Sequence, residues 1–96
     1  MKKEKVRKDI SISLIPHSDD VPKSEIFEVK EKLQQSLDEF GVGYIFQEDG
    51  KKYKFIFKND VRETVFHHLL TTVRTITLGR KVEAIISHVD EEYKKE

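Results

Sequence analysis

The sequence predicts an α+β domain in the order β-α-β-β-α-β, and three observations lead there. Residues 6–15 alternate apolar and polar, the period of a half-buried strand. Residues 44–57 read as two strands around the turn dipeptide Asp49-Gly50. Two further stretches, 24–40 and 60–78, repeat apolar residues at steps of three and four, the period of a helix with one buried face.

In the first strand Val6, Ile10, Ile12 and Leu14 share one parity, and Arg7, Asp9, Ser11, Ser13 and Ile15 the other. Pro16 closes it, and His17-Ser18-Asp19-Asp20 is rich in turn formers. Ser24 is the expected N-cap of the first helix, with Glu25 and Glu28 where the helix dipole favours negative charge. Its stripe is Ile26, Val29, Leu33, Leu37 and Phe40, and Gly41 supplies a left-handed C-terminal residue with Val42 as apolar follower. Phe27 lies off the stripe.

A two-residue type I′ loop needs positive φ at both positions, which Asp49-Gly50 tolerates. That loop sets Glu48 against Lys51, Gln47 against Lys52, Phe46 against Tyr53, Ile45 against Lys54 and Tyr44 against Phe55. The aromatics Tyr44, Phe46, Tyr53, Phe55 and Phe57 then share one side, and Ile45, Gln47, Lys52, Lys54 and Ile56 the other.

Asn59-Asp60 is the expected start of the second helix, with Glu63 completing a capping box. The stripe Val61, Val65, Leu69, Val73 and Ile76 runs unbroken through Ile76, with Gly79 as the stop, so one long helix is preferred over a strand across the β-branched residues 71–78. The last strand starts at Val82, with Val82, Ala84 and Ile86 on one face and Glu83, Ile85, Ser87 and Val89 on the other. This order is the ferredoxin-like, split βαβ arrangement. Right-handed crossovers put two helices on one face of a four-stranded antiparallel sheet of order 4-1-3-2. The domain spans 6–92, between a charged lead-in at 1–5 and a charged tail at 93–96.

Eighteen basic and eighteen acidic residues cancel, which argues against a general nucleic-acid or membrane binder. Without cysteine there are no disulfides, thiolate metal sites or thiol catalysis. No apolar run approaches a membrane span, and no apolar stretch follows Met1-Lys2-Lys3-Glu4-Lys5 as a secretory signal requires; a cytoplasmic protein is expected.

No nucleophile elbow, phosphate loop, dinucleotide turn or zincin motif is present, so no catalytic residue and no cofactor is expected. His17 and His88 end strands whose C-terminal ends lie at opposite ends of the sheet. His67 and His68 are adjacent on a helix, unlike the i, i+4 pair of a zinc site, so no metal is expected. The third strand, Gly50-Lys51-Lys52-Tyr53-Lys54-Phe55-Ile56-Phe57, invites comparison with an RNA-recognition strand, whose aromatics stack bases on the open face. Here the register turns the aromatics to the core and the lysines outward, and the first strand offers only Ser11 and Ser13.

The sheet face away from the helices carries Ile15, Ile45, Ile56, Ile85 and Val89, enough branched aliphatic surface for an interface. These five are the expected contacts of a homo-oligomer, a dimer or tetramer. With the elements in this order, the chain resembles the small thiamine-binding family of ferredoxin-like domains. The resemblance rests on Ile10-Ser11-Ile12-Ser13-Leu14-Ile15-Pro16, on Gly50, on a histidine at 67 or 68, and on Gly79 before a strand ending near Asp90. His17-Ser18, Gly50-Lys51 and Lys54-Phe55 depart from the family's pattern. The resemblance implies a non-catalytic oligomeric module that binds a small, thiamine-like molecule at or beside the sheet interface. Ser11, Ser13, His17, Lys52 and Lys54 are its candidate ligand-binding residues. The alternatives are a protein-interaction domain using the open face, and an RNA-binding domain using the lysine strand.

Overall fold

A computed structural model describes residues 5–92 of the chain, and side chains for 6–88. Its elements are β1 (Lys5–Pro16), α1 (Lys23–Phe40), β2 (Tyr44–Asp49), β3 (Lys52–Phe57), β4 (Val61–Arg62), α2 (Glu63–Thr77) and β5 (Val82–Glu92). Lys5, expected in the lead-in, is the first residue of β1, whereas 1–4 and 93–96 lie outside the described residues.

All pairings are antiparallel, and β1 is the centre of the sheet. One edge of β1 takes β3, with β2 beyond it; the other edge takes β5. The predicted four-stranded sheet is thereby enlarged to five strands. The fifth, β4, was expected to be the first turn of a helix. Val61 and Arg62 instead pair with Arg7 and Val6, where β1 runs on past the end of β3. Backbone groups on that stretch of edge need partners, and an extended Val61-Arg62 supplies them. The capping box at Asp60 is therefore absent: α2 starts at Glu63 behind Arg62, with no side-chain cap.

Side chains from one sheet face meet both helix stripes in a single core, with Ile10, Ile12, Leu14 and Phe55 fully buried. Tyr53 and Phe57 join them, as the alternation of β3 requires. Pro22, not Ser24, occupies the N-cap of α1, its φ of −63° and ψ of 146° already extended. The C-terminal end is as the sequence predicts. Gly41 has φ +74°, its N–H donates to Asp38 O at 3.1 Å, and Val42 N–H donates to Leu37 O at 3.0 Å.

The β-branched run does not break α2. Thr71, Thr75 and Thr77 each donate a hydroxyl hydrogen bond to the carbonyl four residues back, at 3.2, 3.0 and 3.0 Å. The polar branch is thereby satisfied inside the helix.

The hairpin pairs differently from expectation. Tyr44 faces Phe57, Phe46 faces Phe55, Glu48 faces Tyr53 and Asp49 faces Lys52, leaving Gly50-Lys51 as the loop. Each partner is displaced by two positions, so the sorting of faces survives while the pairs change. Gly50, at φ +62°, is the one left-handed residue here, as a type II′ loop requires. Asp49 thus stays in the strand. Lys51 is held in the loop by donating from Nζ to Asp19 O at 2.6 Å and Val21 O at 2.9 Å.

One irregularity reorders the start of β1. Lys8 pairs with Val89 and Ser11 with Ser87, so Asp9 and Ile10 together oppose His88. Asp9 adopts φ +52°, the left-handed first residue of a bulge. An inserted residue reverses the alternation before it. Arg7, predicted on the open face, reaches α2, with its guanidinium 5.0 Å from the Phe66 ring and Nη2 3.5 Å from Glu63 Oε2. Val6 is nearly buried but stands outside the core cluster.

Candidate functional site on the uncovered sheet face

Both helices cover one face of the sheet, and the register arranges the other in rows. Ile45, Ile56, Ser11 and Ser87 form one row across β2, β3, β1 and β5. Gln47, Lys54, Ser13 and Ile85 form the next. Beyond them Asp49 faces Lys52, and Ile15 faces Glu83.

The predicted interface residues do not make one apolar patch. Ile45 and Ile56 are cross-strand partners, and Ile15 and Ile85 are diagonal neighbours on β1 and β5. Ser11, Ser13 and Lys54 separate the two pairs. Ile45 is 50% exposed and Ile85 47%, whereas Ile15 and Ile56 are half-buried among their neighbours. The side chain of Val89 lies outside those described.

A shallow depression of about 220 Å³ opens on this face, lined by Ser13, Ile15, Gln47, Asp49, Lys52, Tyr53 and Lys54. The strands bring together three of the five predicted ligand-binding residues there: Ser13, Lys52 and Lys54. Ser11 lies one row away, against Ile56 and Ser87. His17 stands beyond Pro16, its N–H donating to Lys81 O at 2.9 Å, and does not line the depression. Three lining residues were not predicted as site residues: Tyr53, which the alternation assigned to the core, Gln47 and Asp49. Gln47 had the parity to be found; Asp49 did not, because the expected loop placed it in the turn.

The residues that line the depression carry two ammonium groups, one carboxylate, one amide and the hydroxyls of Ser13 and Tyr53, beside the aliphatic Ile15. Such a set suits hydrogen bonding and charge neutralisation of a small polar molecule. It contains no nucleophile paired with a base.

The histidines lie elsewhere. His67 Nε2 is 3.3 Å from Glu63 Oε2 on the exposed side of α2, and His88 packs edge-on to Phe66 with ring centroids 4.7 Å apart. Among the described residues, no group of three or more His, Cys, Asp or Glu side chains is placed to hold a metal. No helix among them is long and apolar enough to cross a membrane.

No protein-family model matches this chain, and no curated protein matches it in sequence. Among solved structures, it is similar to the uncharacterized protein TM1266 from Thermotoga maritima, at a TM-score of 0.56 and 8% identity. The match covers 92% of this chain and 99% of that one. The likeness is one of fold alone.

Proposed function

We propose that this chain is a cytoplasmic, ferredoxin-like, non-catalytic module that self-associates through its uncovered sheet face and binds a small molecule there. The observation that carries the reading is the depression at Ser13, Gln47, Asp49, Lys52 and Lys54, flanked by exposed Ile45 and Ile85. A second copy laid over this face would remove the isoleucines from water and close the depression into an interfacial site. Two lysines against one carboxylate favour a ligand with an anionic group. Thiamine, which is cationic, would have Asp49 as its one charged partner in the depression, and it enters the test as a separate arm.

The test is a thermal-shift series with small anionic metabolites, and separately thiamine, on the wild type and Lys54→Ala. A ligand binding the native state raises the melting temperature with its concentration. The reading expects an anionic ligand to do so for the wild type, with most of the shift lost in Lys54→Ala. Sedimentation at micromolar concentration should show an oligomer that Ile56→Lys dissociates through the face. A folded wild type that takes up no ligand and stays monomeric would leave the exposed isoleucines as ordinary surface and overturn the reading. A wild-type oligomer that takes up no ligand would instead favour a protein-interaction domain, the reading that exposed Ile45 and Ile85 support by themselves.

A further inference from the structure

The outer edge of β5 stands apart from the face just discussed. Among the described residues β5 pairs with β1 alone, so no strand lies along its other edge. Soluble proteins guard such edges with charge, proline or brevity. The opposite edge, β2, has only six residues and ends in Gln47-Glu48-Asp49. β5 has eleven residues and also ends in acids, Asp90-Glu91-Glu92, but its segment Val82-Glu83-Ala84-Ile85-Ile86-Ser87-His88 contains no lysine, arginine or proline and a single carboxylate. Beside this edge, on the helix side, Leu70, Val73, Arg74 and Thr77 of α2 with Ala84 and Ile86 of β5 line a groove of about 250 Å³. Ala84 and Ile86 are half-buried and packed against the core.

We propose that the occupant of this edge is β5 of a second copy, paired antiparallel about Ile85 so that two five-stranded sheets become one. The choice of partner rests on self-complementarity. In antiparallel pairing, directly opposed residues share a face. Centring on Ile85 sets Ile85 against itself on the open face and Ala84 against Ile86 of the second copy, twice, on the helix side. It sets Glu83 against Ser87 and Val82 against His88, so no like charges meet. Centring on Glu83 instead opposes two carboxylates, which is unfavourable. In the Ile85 register the second copy's Ala84 and Ile86 approach the groove beside α2, where apolar side chains await cover.

This contact is independent of the ligand depression, which is lined from β1, β2 and β3. Edge pairing gives a dimer; face packing as proposed above would join two such dimers.

The chain lacks cysteine, so an introduced thiol has no native competitor. Ala84→Cys and Ile86→Cys are made as separate proteins, mixed and oxidised. In the proposed register each mixed dimer holds one pair within disulfide reach, whereas Ala84→Cys with itself is a diagonal pair beyond it. Disulfide-linked dimer should form in the mixture and not in either variant alone, and should persist when both also carry Ile56→Lys. A mixture that stays unlinked although sedimentation shows a wild-type dimer overturns the edge contact while leaving the face reading standing. Linkage that survives Ile56→Lys, in a protein that takes up no ligand, removes the face reading and keeps the edge. If the cysteine variants do not fold, hydrogen exchange of the wild type decides. Protection across 82–88 that falls on dilution supports the pairing, and protection unchanged by dilution overturns it.

Discussion

The ammonium of Lys30 lies 4.2 Å from the centre of the Phe27 ring, which explains an aromatic residue placed outside the apolar stripe of α1. Phe46 and Tyr53 stand 5.5 and 5.8 Å away on other sides, and Glu31 Oε2 accepts from Nζ at 2.8 Å. Lys30 is the one charged residue in the described core that is almost fully buried, and these rings with one carboxylate compensate its charge.

A double-mutant cycle with Phe27→Leu and Lys30→Met should therefore return a coupling of about 1 kcal/mol in urea unfolding. Additive effects would show that the half-exposed Phe27 ring is a bystander.

The bulge makes a prediction at Asp9, whose φ is +52°. Asp9→Val should cost about 1–2 kcal/mol despite the strand preference of valine, and Asp9→Gly should be tolerated. Equal stability of the two variants would mean that the left-handed residue is not needed at this point of β1.

The hairpin loop can be located the same way. Gly50→Val should lose about 1–2 kcal/mol and Asp49→Val under about 1, because only Gly50 has positive φ. A larger loss at Asp49 would restore the type I′ loop and its pairing.

The faces of β3 are tested separately. Phe55→Ala, at a fully buried ring, should cost about 3–5 kcal/mol, whereas Lys54→Ala on the exposed side should cost under about 0.5. Comparable losses would contradict the assignment of faces.

Arg80 Nη1 donates to Glu28 Oε1 at 2.6 Å, tying the connection between α2 and β5 to α1. This hydrogen bond, and then the guanidinium charge, holds the Glu28 carboxyl below its ordinary value of 4.5. A lowered folded-state pKa means that the contribution is present at neutral pH and lost as pH falls through that lower value. Carbon-detected NMR titration should find Glu28 ionising below its ordinary value, and Arg80→Ala should raise it back toward that value.

Element types and facing were legible in the sequence because they follow from local periodicity. The alternation of β3 sent Tyr53, Phe55 and Phe57 to the core and Lys52 and Lys54 outward, and the stripe through Ile76 carried α2 across its threonines. What only the tertiary structure decided was register and edge. Pairing across β2 and β3 depends on which residue takes positive φ, and the contacts of Lys51 with Asp19 and Val21 come from a distant loop. The short β4 arises because β1 outruns β3 and must find backbone partners elsewhere, and the reversal at Asp9 comes from the extra residue that β1 sets opposite β5. The candidate site shows the same division. The outward parity of Ser13, Lys52 and Lys54 is a property of the chain, while their meeting with Gln47 and Asp49 in one depression is set by long-range strand pairing.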